Sequence, residues 1–204
     1  MTTSSQPKIF TLEEFLAMPE TKPASEFVAG SIEQKPMPQG QHSRLQLKLC
    51  NLVNDVAESA KIAMALPELR CTFGDPLEIR LPLGKRSIVP DVAVFYWERI
   101  PFEPDGDIAN VFEIAPDWTI EILSPDQKDT KVIRNILHCL NHGTSLGWLI
   151  YPEERIILAF PVNQSPVELS GSDRLPVLSG LELSVSVDDI FGLLRSPGKA
   201  LDNL

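Results

Sequence analysis

Hydrophobic and polar positions along this chain fall into blocks of two different periods. Two proline-free windows, 39–66 and 126–151, carry apolar residues at helical spacing. In the first, Leu45, Leu49, Leu52, Val53, Val56 and Ala60 form one stripe; in the second, Ile133, Ile136, Leu137 and Leu140 do so, and Gly143 is placed to end the helix. Proline breaks helix interiors, so each window predicts a long helix. Thr11-Leu-Glu-Glu14 reads as a capping box opening a short helix over 12–18.

Elsewhere the period is two. Leu77, Ile79 and Leu81 alternate with Glu78 and Arg80, and Gly84-Lys-Arg-Ser87 turns the chain into an apolar strand over 88–96. Strands are also expected at 26–28 and 31–33 around Ala29-Gly30, at 118–123, and at 147–151 and 155–161 around Pro152-Glu-Glu. Leu181, Leu183, Val185 and Val187 alternate once more before a closing helix over 188–194. This order predicts a mixed α/β fold with one central mixed β-sheet flanked by helices, in a single domain over 8–195 with tails at 1–7 and 196–204.

Composition narrows the class. The 204 residues are 43% hydrophobic and 23% charged, which is globular, and no apolar run approaches the ~18 residues that span a bilayer. The first eight residues are polar, without a signal-like apolar stretch, and Cys50, Cys71 and Cys139 lack metal-ligand spacing. A cytoplasmic protein with reduced thiols and no membrane partner is the expectation.

The chain has no glycine-rich phosphate loop, no nucleophile elbow and no Cys/His metal cage. What stands out is carboxylates on apolar strands: Asp91 within Ile88-Val-Pro-Asp-Val-Ala-Val-Phe95, and Glu121 within Trp118-Thr-Ile-Glu-Ile-Leu123. Burying such acids is costly unless they are paired or bind a cation. Two of them on neighbouring strands suit Mg²⁺ (or Mn²⁺), which takes one or two carboxylates together with waters and phosphate oxygens. The plainer reading is a solvated strand face, or pairing with Arg80 or Arg86. His42 either faces these carboxylates or is a satisfied core histidine, and Glu26 either joins them as a third acid or does not. His138 and His142, four apart on a helix, read as an exposed pair, and Trp97, Trp118 and Trp148 read as core.

The ordered set Glu26-Phe-Val-Ala-Gly30, His42, Pro90-Asp91, Glu121-Ile-Leu-Ser-Pro125 and Gly143-Thr-Ser-Leu-Gly-Trp148-Leu-Ile-Tyr-Pro152 resembles a bacterial restriction-endonuclease-like branch of the PD-(D/E)xK nuclease superfamily. The resemblance covers residues 10–194. It implies a restriction-endonuclease-like core and a Mg²⁺-dependent endonuclease, a hydrolase of phosphodiester bonds acting on nucleic acid, DNA first, as a homodimer by analogy. Asp91, Glu121 and the Ile122 carbonyl would hold the metal. The general signature puts lysine two residues after the glutamate, where this chain has Leu123; the resembled branch carries it in the next helix, where this chain has Asn135. Lys131, which shares a helix side with Asn135, His138 and His142, is the first candidate to orient the water, and Arg134 the second. If neither serves, the chain is a catalytically impaired binding module on the same fold. A glycosidase-like acid pair ranks last, without sugar-stacking aromatics to support it.

The net charge of −10 bears on the substrate, since phosphate binding needs basic surface. The acidity is uneven. Residues 98–117 hold six acids and one base, whereas 128–134 hold three bases and one acid directly after Glu121. A phosphate substrate is therefore compatible with the charge, and tight nonspecific duplex binding by a monomer is not expected.

Overall fold

The structure is a computed structural model and describes residues 8–74, 85–125 and 127–195. Two sheets are built from ten strands among these residues. The smaller is antiparallel, in the order β2 (Ser31–Gln34), β1 (Ser25–Val28), β5 (Arg86–Ile88), β4 (Cys71–Phe73). The larger is mixed, in the order β10 (Val167–Ser170), β9 (Ile156–Pro161), β8 (Leu146–Tyr151), β7 (Trp118–Ile122), β6 (Val92–Tyr96), β3 (Ala63–Pro67). Its one parallel pair, β7 with β8, is joined through helix α3 (Asp129–Asn141), while β6 pairs antiparallel with β7.

Helix α2 (Gly40–Ala57) lays Leu45, Leu49 and Val53 on the large sheet, where they pack with Ile120, Trp148 and the closing helix α4 (Val187–Gly192). Trp118 and Trp148 meet edge-on in this core, their centroids 4.5 Å apart. Helix α3 covers β8 and β9, with Val132 and Ile136 against Leu149 and Phe160. It lies so close that a Cβ on Gly147 would collide with Ile136 Cγ2. At the far end of α3, Gly143 takes φ +105°, a left-handed conformation that ends a helix without strain. The short helix α1 (Leu12–Leu16) has both halves of the expected capping box, Thr11 and Glu14.

Several elements differ from the sequence pattern. The first proline-free window is not all helix: α2 stops at Ala57, Lys61 turns the chain at φ +53°, and β3 uses the rest. The expected strand over 88–96 is two strands in two sheets. It breaks at Val89-Pro90-Asp91, since proline cannot donate to a ladder. The alternating 181–187 segment is not a strand; Leu181, Val185 and Val187 are buried, and among the described residues its pairing amounts to one bridge, Arg174 to Ser186, flanked by the Leu175 N–H donating to the Val185 carbonyl and the Val187 N–H donating to the Asp173 carbonyl. Alternation marked burial on one side, and among the described residues no neighbouring strand extends that bridge into a ladder. The short strands β4 and β10 had no periodic signal. Trp97 lies in a 3-10 turn (Trp97–Arg99) and is only half-buried. The 77–81 strand, Arg80 and the first half of that hairpin lie outside the described residues.

The polar side assigned to α3 also differs. Asn135 and His138 are buried, and Leu137 is 45% exposed. The helix is rotated so that Asn135 faces buried acids rather than water.

Candidate active site

Asp91 stands where the chain leaves the small sheet and enters the large one, just before β6. The neighbouring strand β7 carries Glu121. Both are almost fully buried, at 2% and 5% exposure. Three groups converge on Asp91: Lys35 Nζ lies 2.6 Å from Oδ1, His42 Nε2 lies 3.1 Å from Oδ2, and the Ile122 backbone N–H donates to Oδ2 at 2.7 Å. Gln46, on the buried side of α2, donates to the Asp91 carbonyl at 2.9 Å and fixes the backbone there.

Lys35 is the centre of the cluster. It follows β2, and Pro36 turns the chain away immediately after it. Its ammonium lies 3.6 Å from Glu121 Oε2 and donates to the Val89 carbonyl at 2.8 Å. Glu26, on β1, is buried beside it: Oε1 accepts from the Val89 N–H at 2.8 Å, and Oε2 accepts from Asn135 Nδ2 at 3.1 Å. Arg86 in turn donates to Asn135 Oδ1 at 3.3 Å and to the Arg134 carbonyl at 3.0 Å.

Proton affinities follow from this packing. Burial alone would raise the Asp91 carboxyl, but Lys35 and His42 hold it down, at about 2. Burial raises Glu121 well above the carboxylate range, aided by the Asp91 and Glu26 charges and only partly countered by Lys35. Glu26 is raised for the same first reason. Burial disfavours the charged form of Lys35, yet the three carboxylates outweigh it and the amine stays firmly protonated.

A cavity of about 570 Å³ opens onto this cluster, with Glu26, Lys35, Glu121 and Asn135 in its wall and Lys128 and Lys131 at its rim. Lys131 Nζ is paired with Glu33 at 2.5 Å and makes no contact with Asp91 or Glu121. Arg134 is exposed and does not line the cavity. His42 faces the carboxylates rather than lying in the apolar core, and Glu26 shares the cavity wall with Glu121. His138 is buried against Phe73, with ring centroids 4.9 Å apart, and His142 is tilted beside it at 4.2 Å.

The residue that sequence reasoning missed is Lys35. Its signal was the spacing Glu33-Gln34-Lys35, but it lies far upstream of both strand acids, and Glu33 itself pairs with Lys131. Gln46 and Arg86 were also passed over as site residues; a glutamine on a buried helical stripe is the trace the former leaves.

Three buried carboxylates share one lysine, and two of the acids are pushed toward protonation, first by burial and then by the neighbouring negative charge. That donor set fits a hard divalent cation, which takes carboxylate oxygens readily. Among the described residues no three acidic, histidine or cysteine side chains already form a coordination cluster, because Lys35 sits between the acids.

A mixed sheet flanked by helices, with proline-aspartate and glutamate on adjacent strands, defines a restriction-endonuclease-like protein of the PD-(D/E)xK superfamily. Residues 12–188 match the Uma2 family, described as "Putative restriction endonuclease", and the chain belongs to that family. It is also similar to a solved protein from Anabaena variabilis ATCC 29413, described as "a putative nuclease", at 50% identity and a TM-score of 0.84. The match covers 91% of this chain and 99% of that one. No curated protein matches the chain.

Proposed function

We propose that this protein is a Mg²⁺-dependent (or Mn²⁺-dependent) endonuclease that hydrolyses phosphodiester bonds, with DNA as substrate. The observation that carries the reading is the pair of buried acids on neighbouring strands, bridged by one lysine at the wall of an open cavity. Asp91, Glu121 and the Ile122 carbonyl would hold the metal, which when bound would supply Lewis acidity toward the phosphodiester and the attacking water.

The chain's own groups supply the rest. Lys35, kept protonated by its carboxylates, is an electrostatic group and not a base: it offsets negative charge that grows on the phosphoryl oxygens. His42 and the Ile122 N–H fix the Asp91 carboxylate in one orientation, and Gln46 fixes its backbone. Glu26, held by Val89 and Asn135, adds a third acid to the cavity wall. Lys128 and Lys131 at the rim meet the substrate phosphates, Lys131 exchanging Glu33 for phosphate as the strand enters. Arg134, exposed one turn further, contributes only to the surrounding basic field.

A second reading is a binding module on the same fold, in which Lys35 serves as a fixed internal counter-ion in place of a metal. The 2.6 Å contact to Asp91 favours it. Nicking of supercoiled DNA in Mg²⁺ separates the two. We expect cleavage by the unaltered chain and its loss in both Asp91→Ala and Glu121→Ala; variants that cleave at the unaltered rate would overturn the proposal.

A further inference from the structure

Two contacts join the small sheet to α3 along the wall of the cavity. Glu26 on β1 and Glu33 on β2 are directly opposed, so their side chains leave the same face of the sheet. Asn135 and Lys131, one turn apart on α3, answer them. The inner contact, Glu26 to Asn135, is buried, and Arg86 holds the Asn135 amide from behind. The outer contact, Glu33 to Lys131, is an ion pair at 2.5 Å whose side chains are 29% and 49% exposed. Solvent screens so exposed a pair, and it opens at little cost.

Opening it leaves two groups to satisfy. Lys131 has three N–H donors and takes a phosphate oxygen. Glu33 gains nothing from that exchange. Its carboxylate can only accept, and Glu26 stands opposite it as a second acid. Glu33 then needs a donor from whatever occupies the cavity. The wall carries no aromatic side chain among the described residues, so an entering base finds no stacking platform there and offers its edge. Cytosine, adenine and guanine carry an exocyclic amino group on that edge, the donor a carboxylate accepts; thymine carries carbonyls in its place.

We propose that Glu33 is a specificity-determining residue: once phosphate has taken Lys131, its carboxylate accepts from the base of the bound strand and favours amino-bearing bases over thymine. One ion pair is exchanged for two satisfied groups, whereas a thymidine satisfies Lys131 alone. This role rests on the nuclease reading and narrows it to the nucleotides the cavity takes.

The test measures binding of fluorescein-labelled decamers of deoxycytidine and of deoxythymidine to the full chain by anisotropy, without divalent metal and at about pH 8. The two pyrimidine rings are of one size, so the comparison isolates the amino group. We expect the unaltered chain to hold the cytidine decamer about five- to tenfold more tightly. Glu33→Gln keeps the shape of the side chain, and its amide both donates and accepts, so it serves either base. This variant should bind the thymidine decamer more tightly than the unaltered chain does and bring the two affinities within about twofold. Equal affinities in the unaltered chain, binding of neither decamer, or a preference that Glu33→Gln leaves intact overturns the assignment. Nicking of supercoiled DNA in Mg²⁺ is scored separately. A chain that nicks DNA but binds both decamers alike keeps the nuclease reading and loses this role for Glu33. A chain that shows the preference and its loss in Glu33→Gln, yet does not nick, keeps the role and loses the nuclease reading.

Discussion

Lys35 and Asp91 form a buried ion pair whose worth depends on both partners being present. Removing one leaves uncompensated charge in the interior, at a cost of about 3–5 kcal/mol. Lys35→Ala should therefore lower the melting temperature. If the acids form a cation site, Mn²⁺ should then raise the melting temperature of this variant more than that of the unaltered chain, because the ion replaces the missing charge. Equal shifts in a thermal melt would count against a metal at Asp91 and Glu121. His138 gives a pH signature of its own. Burial, reinforced by Arg86 and His142, lowers its pKa from the usual value near 6.5 to about 3. The unfolded chain thus binds the proton more readily between those values. Stability from this group is complete above pH 6.5 and is lost as pH falls toward 3. Compared with His138→Gln, the unaltered chain should lose stability more steeply over pH 6.5 to 4 in denaturant titrations; parallel curves would contradict this.

At the scale of elements, the long helices and the central strands were legible, because each presents a full apolar face at one period. β7 read clearly even though Glu121 interrupts its apolar run, and β6 read as strand while the break before it at Val89-Pro90-Asp91 did not. What was not legible depends on partners distant in sequence. β3 needed β6 to pair with, and the 181–187 segment found burial but no ladder. Asn135 looked like a surface residue on α3 because only the fold brings Glu26 against it. Lys35 escaped for the same reason: a lysine before a proline reads as an exposed turn until β1 and β2 carry it beneath Asp91. The contact between α3 and β8 offers a direct check on element packing. Gly147→Ala should destabilise the protein by about 1–3 kcal/mol through overpacking against Ile136, read as a lower denaturant midpoint with unchanged slope. An unchanged midpoint would mean that α3 can move outward freely.

Across the whole molecule, the net charge of −10 is divided between a structural role and a chemical one. Part of it lies in the 98–117 connection, where buried Asp117 pairs with Arg99 and accepts from the Tyr96 N–H, holding the end of β6. Another part is the buried acid cluster, which no general repulsion of phosphate describes, since Lys35 stands at its centre and Lys128 and Lys131 at its rim. The two sheets meet at Pro90-Asp91, so the site is assembled by the joint between them and not by one strand segment. Lys35 and Glu26 came from the small sheet, Asp91 from the joint and Glu121 from the large one. Comparing Mg²⁺-dependent nicking rates of Lys35→Ala and Lys131→Ala with that of the unaltered chain tests this assembly most directly. We expect Lys35→Ala to lose about 10²-fold or more at saturating DNA, and Lys131→Ala to need more DNA for half-maximal rate while keeping most of its maximal rate. An active Lys35→Ala beside an inactive Lys131→Ala would contradict the site described for this protein.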